Sequence, residues 1–301
     1  MSRSRVGLIG FGTVGAAVYE QIQTNLWERF EVARVAVRDR GKARPAEIED
    51  LLCDAQYLVQ ADDVDIVVEV IGGIHPAIDL IKLALTQGKR VVTANKELIA
   101  RHYDELIAFG GDLRFEAAVA GGIPVIQVLR TLAQTNRITS IHGILNGTTN
   151  FILTEMETRQ SELEPILKEA QAMGYAEADP TADVDGFDAM YKIAILGAIA
   201  SGEQLDLETI PRSGIREISL TKMREAAEHE RRIKLVASWT RESGARVTCQ
   251  ALPLDHPLSQ VDGVMNAVTI EGDFMPTLTL IGPGAGGRPT SSAICGDLVA
   301  E

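Results

Sequence analysis

An α/β fold, with a parallel sheet covered on both faces and a second domain of α+β texture, is predicted by three features of the chain. Short β-branched runs alternate with helical stretches through the first third of the 301 residues. Those runs are apolar almost continuously rather than at every second position, the pattern of strands buried on both faces. A glycine-rich turn follows the first of them, where a strand feeds a helix. The length suits about two domains.

In order, residues 6–9 read as a buried strand, 16–27 as a helix, 32–37 as a second strand, 65–70 as a third and 90–93 as a fourth. Between the last two, residues 75–88 carry apolar side chains at helical spacing and end on Gly88, a helix stop. Residues 113–119 are predicted as one more strand, and the nucleotide-binding region is expected to close near residue 130. Further on, 141–145 reads as a strand, 150–156 and 161–173 as helices, and 185–201 as a strong helix. Glu164 and Lys168, at i and i+4 in the second of these, suit a solvated face. A charge-rich stretch over 220–232 precedes strands over 233–239, 247–252 and 264–270.

Composition narrows the function. There are 29 basic and 42 acidic residues, a net charge of −13, and such a chain repels nucleic-acid backbones and anionic lipid. Neither nucleic acid nor a membrane is expected as a partner; a small molecule is. Cys53, Cys249 and Cys295 lie far apart with no CxxC pair, which suits a reducing cytoplasm. The N-terminus has no secretory pattern, and no apolar run approaches the ~18 residues of a membrane span. The five histidines form no HExxH or HxxxH pattern and GxSxG is absent, so zinc and serine-hydrolase chemistry have no support.

Gly10-Phe11-Gly12-Thr13-Val14-Gly15 is the turn that opens the first helix. Gly10 permits the tight bend, Gly12 lets the backbone approach a pyrophosphate, and Gly15 lets helix and strand pack closely. The helix N-terminus then offers N–H groups and a positive dipole end to the anion. After the second strand come Arg38, Asp39, Arg40 and Lys42. The basic residues suit the 2′-phosphate of NADP(H), favoured here over NAD(H); Asp39 as a ribose-binding acid is the alternative. Thr93-Ala94-Asn95-Lys96 ends an apolar strand, where ligands of open parallel sheets bind.

The segment from Gly174 to Lys192 is the most informative. Its helix is apolar on nearly every side, yet Asp188 and Lys192 stand on one face at i and i+4. Buried charge must be paired or used, so the choice is a structural ion pair or a working group. Glu177, Asp179, Asp183 and Asp185 just upstream favour a polar pocket for an ammonium group. Gly147-Thr148-Thr149-Asn150 opens a helix and suits a substrate carboxylate. The stretch 115–124 offers Glu116 and main-chain carbonyls to a hard cation, or is simply a tightly packed crossover. Gly282 to Gly287 is a second backbone approach to the cofactor or a hinge.

Taken together, GFGTVG, VVEVIGG, VVTANKELIA, FEAAVAGGIPVI, GILNGTTNFIL, GYAEADPTADVDGFDAMYK and GPGAGG resemble the homoserine dehydrogenases over nearly the whole chain. The resemblance implies NAD(P)H-dependent interconversion of L-aspartate 4-semialdehyde and L-homoserine, on the route to threonine, methionine and isoleucine. It implies a Rossmann-type dinucleotide-binding domain over 1–130, to which 282–301 returns, and a dimerisation and substrate-binding domain over 131–281. It makes Lys192 and Lys96 the catalytic lysines, with Asp188 beside them, and Glu177, Asp183, Thr148 and Gly147 substrate-binding residues. Cofactor contacts fall on Gly10, Phe11, Gly12, Thr13, Val14, Gly15, Arg38, Arg40, Thr93, Lys96 and Gly284. Glu116, Val119, Gly121 and Ile123 would hold a monovalent cation, sodium, and the enzyme would be a homodimer. The chain ends at Glu301, so the C-terminal amino-acid-sensing domain of many family members, and threonine feedback through it, are not expected.

Overall fold

The computed structural model describes residues 3–300. The chain divides into two compact units, one running to Gly122 and resumed from Gly286, the other spanning Ile123–Ala285. In the first, the elements are β1 (Ser4–Ile9), α1 (Thr13–Gln21), β2 (Phe30–Ala36), α2 (Ala46–Glu49), β3 (Leu52–Cys53), α3 (Ala55–Gln60), β4 (Ile66–Glu69), α4 (Ala77–Thr86), β5 (Arg90–Thr93), α5 (Lys96–Phe109) and β6 (Leu113–Arg114). The six strands are parallel and lie in the order β3-β2-β1-β4-β5-β6. Chain direction across the sheet therefore reverses between β1 and β4, the point at which such sheets bind nucleotides.

The core follows from the apolar strands. Val6, Leu8, Val68 and Val92 are fully buried beneath Val18 and Ile22 of the first helical stretch. That stretch begins at Thr13, earlier than its apolar spacing suggests, and passes into a π-helical turn over Ile22–Leu26. The strand expected over 113–119 is a correction. Only Leu113–Arg114 pairs with β5; a 3₁₀ turn over Glu116–Ala118 follows, and Ala120 and Gly121 both adopt positive φ. The 3₁₀ turn ends the strand at Arg114, and apolar composition does not reveal such a turn.

The second unit contains α6 (Val125–Thr135), β7 (Ile138–Ile144), α7 (Gly147–Arg159), α8 (Leu163–Ala172), α9 (Thr181–Val184), α10 (Phe187–Ser201), α11 (Leu220–Glu228), β8 (Arg231–Thr240), β9 (Gly244–Pro253), β10 (Met265–Gly272) and β11 (Leu278–Pro283). Its five strands form an antiparallel sheet in the order β11-β10-β7-β8-β9. Helix α10 lies on β7, β8 and β9, with α6 on its other side, which buries it all round as its composition requires. Residue 130, the expected change-over, lies inside α6.

The last helix, α12 (Gly287–Val299), packs on α1 in the first unit. Arg90 donates to the carbonyl of Leu298 at 2.9 Å and Arg114 to that of Ala300 at 2.7 Å. Asp297 accepts from the backbone N–H of Glu116 at 2.8 Å, tying the 3₁₀ turn to α12. Among the described residues no helix is long and apolar enough to cross a membrane.

Candidate active site

The three glycines of the turn meet different surroundings. Gly10 has a φ of 110°, and a Cβ there would meet the Val70 carbonyl at 2.9 Å. A Cβ on Gly15 would stand 2.2 Å from the Gly10 carbonyl, so helix and turn touch backbone to backbone. Gly12 is different: nothing lies within 4 Å of its would-be Cβ. It caps α1 in extended conformation and accepts from the Ala16 N–H at 2.9 Å, leaving an open face at the helix N-terminus.

A cleft of about 860 Å³ runs over this face, lined by Gly10 and Gly12, by Arg38 and Arg40, and by Val70, Ile71 and Gly72 beyond β4. Asp39, in the same loop as these arginines, accepts from the Gly41 N–H through Oδ1 at 2.9 Å. Asp54, also on the cleft, caps α3 by accepting from Gln56 and Tyr57. The walls of the cleft thus present guanidinium groups at the end of β2, where the adenosine ribose of a dinucleotide would lie.

A residue that sequence reasoning missed shapes one wall. Glu69, 0% exposed at the end of β4, accepts from the N–H groups of Ile71 at 2.9 Å and Gly72 at 3.2 Å. Its second oxygen receives the Thr93 hydroxyl at 2.5 Å. Burial pushes its carboxyl above the ordinary glutamate range, against the pull of these donors. The side chain of Thr93 is thereby buried and committed to Glu69 and to the Asn95 N–H, at 3.0 Å. Asn95 in turn caps α5 and donates to the Gly73 carbonyl at 2.7 Å, and Lys96, half-buried, is the first residue of that helix. No signal in the sequence marks Glu69 beyond an acid at the end of an apolar strand.

In the second unit, Asp188 and Lys192 are 6% and 7% exposed, and the Lys192 ammonium donates to Asp188 Oδ2 at 2.8 Å. The same ammonium donates to the Leu145 carbonyl at the end of β7, at 2.7 Å. Asn146 donates to Asp188 Oδ2 at 2.9 Å and to Asp183 Oδ1 at 2.6 Å. The predicted residues Asp183, Asp188 and Lys192 are thus one hydrogen-bonded chain, joined through an asparagine that the sequence reading passed over. Breaking such a buried pair by removing one partner typically costs about 3–5 kcal/mol.

The remaining predicted residues surround this chain unevenly. Thr148 donates to the Tyr175 carbonyl at 2.7 Å, holding the acidic loop against the start of α7, and the Tyr175 ring stands edge-on to Phe151. Gly147 runs so close to the Val264 carbonyl that a Cβ would sit 2.6 Å from it. Glu177 is exposed and stands outside the hydrogen-bonded chain. A Cβ on Gly284 would overlap the amide of Asn266, a fully buried side chain whose nitrogen and oxygen both lack a partner among the described residues.

Glu116 is buried at the head of its 3₁₀ turn, Val119 caps that turn, and Gly121 follows with positive φ. Ile123 begins the second unit, its carbonyl accepting from Val125 at 2.7 Å. Among the described residues no three His, Cys, Asp or Glu side chains gather as a metal site; a monovalent ion held through carbonyls needs no such group. Burial pushes the thiols of Cys249 and Cys295 up to about 12, which removes both as thiolate nucleophiles at neutral pH.

A glycine turn at the switch point of a parallel sheet in this strand order defines a dinucleotide-binding protein. The comparisons make the class specific. Family models for homoserine dehydrogenase and for its NAD-binding domain match residues 124–299 and 10–110. The homoserine dehydrogenase of Corynebacterium glutamicum is 43% identical over 98% of this chain and 71% of its own length. A crystal structure of a homoserine dehydrogenase from Thiobacillus denitrificans is 40% identical, with a TM-score of 0.91 over 99% of this chain and 73% of that one. A hyperthermophilic archaeal homoserine dehydrogenase in complex with NADPH, 32% identical, gives 0.86 over 99% and 97%. The chain belongs to the homoserine dehydrogenase family, NAD(P)-dependent oxidoreductases acting on a CH–OH group.

The two glycines of the turn make separable predictions. Gly12→Ala is expected to leave Tm unchanged and weaken nucleotide binding about tenfold or more, read by titration of the reduced cofactor's fluorescence. Gly15→Ala is expected to lose about 1–3 kcal/mol of stability in denaturant unfolding, because its methyl group overlaps backbone.

Glu69 makes a pH-dependent one. With its pKa held up by burial, the folded chain favours the protonated acid. That stability is present below the unfolded-state value of about 4.3 and is lost as pH rises through the folded value. Glu69→Gln keeps a neutral acceptor for Ile71 and Gly72, so its Tm is expected to exceed the parent's by about 2–4 °C at pH 8 and to converge on it near pH 4. A variant less stable at both pH values would show that the bonds to the anion outweigh its burial.

Proposed function

We propose that the chain interconverts L-aspartate 4-semialdehyde and L-homoserine with NADP(H), with Lys192 as the proton donor and acceptor. The observation that carries this reading is the Lys192 ammonium itself. It is buried on an apolar helix, held by the Asp188 carboxylate and the Leu145 carbonyl, in a position that a purely structural helix would fill with a hydrocarbon side chain.

The bound nicotinamide supplies or accepts the hydride. Lys192 supports the alkoxide that develops on the substrate oxygen and gives it a proton; in the reverse direction it takes that proton up. Asp188 orients the lysine ammonium. Glu177 and Asp183 receive the substrate ammonium, while Gly147 and Thr148, at the start of α7, receive its carboxylate. Lys96, the first residue of α5, is the second catalytic lysine of this reading.

On the nucleotide side, Gly10 to Gly15 take the pyrophosphate, and Arg38 and Arg40 take the 2′-phosphate. The preference for NADP(H) is supported by the two guanidinium groups on the cleft and by the engagement of Asp39 within its own loop. Gly284 contacts the cofactor, and Thr93 acts through Glu69 on the shape of the cleft. Glu116 with the main-chain oxygens of Val119, Gly121 and Ile123 is the oxygen set for a sodium ion, hard ligands for a hard cation. The family resemblance further supports a cytoplasmic homodimer.

Turnover is read directly by absorbance at the nicotinamide band, with homoserine and either oxidised cofactor. Lys192→Ala is expected to lower kcat by about 10²–10⁴ while leaving NADPH affinity within a few-fold. Undiminished kcat would remove the proton-transfer role. Arg38→Ala is expected to raise KM for NADPH about tenfold with KM for NADH unchanged, and an equal rise for both would remove the 2′-phosphate assignment.

A further inference from the structure

Asn146, 5% exposed, is the residue through which the two carboxylates of the site are joined, and its surroundings admit one orientation of its amide. The oxygen Oδ1 accepts from the Thr149 N–H at 2.8 Å and from the Thr149 hydroxyl at 2.9 Å, capping α7. The nitrogen must therefore face the acids, and it donates to Asp183 Oδ1 at 2.6 Å and Asp188 Oδ2 at 2.9 Å. A reversed amide would set an oxygen against two carboxylates and an NH₂ against a backbone N–H.

The residue before it completes the arrangement. Leu145 gives its carbonyl to the Lys192 ammonium, which also donates to the same Asp188 oxygen that Asn146 holds. A two-residue step at the end of β7 thus fixes both the proton donor, through a carbonyl, and its counter-ion, through an amide.

We propose that Asn146 is a positioning residue for the reaction: its amide holds Asp188 in place while Lys192 gives up its proton, and keeps Asp183 ionised beside it to receive the substrate ammonium. This rests on the reading of Lys192 as proton donor. The physical need arises at the moment of transfer. When the lysine becomes neutral, Asp188 loses the charge that oriented it, in surroundings where reorganising a carboxylate is costly. An amide does not titrate, so its hydrogen bond persists through the step. Its second N–H lowers the repulsion between two neighbouring carboxylates, which would otherwise drive one of them to take up a proton.

Two substitutions separate this role from the helix cap. Asn146→Asp and Asn146→Ser both retain a capping oxygen for the Thr149 N–H, and Asp and Ser rank with Asn at such positions. Both remove the two-donor NH₂ that bridges the acids; only the aspartate adds a third acid. In the full-length enzyme, kcat per folded molecule is expected to fall about 30-fold or more in both, with KM for NADPH unchanged. In Asn146→Asp the basic limb of the kcat–pH profile is expected to move up by about one pH unit, because a third carboxylate stabilises the lysine ammonium. In Asn146→Ser the limb stays within about half a unit of the parent.

Parent-like kcat in either variant, or an unmoved basic limb in Asn146→Asp, would overturn the proposal, and the serine variant decides it should the aspartate fail to fold. Lys192→Ala is measured alongside. If it is inactive while both Asn146 variants turn over like the parent, the positioning role alone fails. If Lys192→Ala remains active, the reading of the proton donor fails and this inference with it.

Discussion

A lysine ammonium enclosed on a helix with no polar face has to be hydrogen bonded on every side it presents, and much of the second unit is arranged to meet that demand. Lys192 reaches Asp188 one turn back along α10 and the Leu145 carbonyl at the end of β7. Because the strand must end there to free that carbonyl, the helix that follows starts at once, capped by Asn146. The cap's remaining donors then hold Asp183 and Asp188. Sheet end, helix start and acidic loop are thus set by the solvation of one charge, which connects the stability of the unit to the chemistry of its site.

The nucleotide-binding unit has a comparable dependence on backbone contact. Gly10 and Gly15 are required by the close approach of chain to chain, whereas Gly12 borders empty space. The first two maintain the fold, and the third leaves the N-terminus of α1 open. Beyond β4, the loop facing that space is held by the buried Glu69, whose bonds to Ile71, Gly72 and Thr93 make the cleft wall a consequence of strand pairing between β4 and β5. Helix α12 adds the other support, since its C-terminal carbonyls take the side chains of Arg90 and Arg114 from two adjacent strands.

Several features were legible because their signal is local. The turn from Gly10 to Gly15 is contiguous, the strands of the parallel sheet are apolar runs, and Asp188 and Lys192 are one helical turn apart. Others were hidden because their partners are remote. Asn146 finds Asp183 and Asp188 across 37 and 42 residues, and Glu69 finds Thr93 across 24. The stretch from Leu113 to Val119 misled for a different reason: it has strand composition, but a 3₁₀ turn interrupts it at Glu116, whose N–H donates to Asp297. Composition records burial, not the direction of the backbone.

From the sequence alone came the α/β class, the nucleotide turn and the candidate acids and lysines, since each depends on periodicity or spacing over a few residues. The tertiary structure decided which acids are joined to the lysine, which hydroxyls and carboxylates are committed to holding loops, and which glycine borders open space. Those outcomes depend on burial and on hydrogen-bond geometry, and both arise only when segments distant along the chain are brought within about 3 Å of one another.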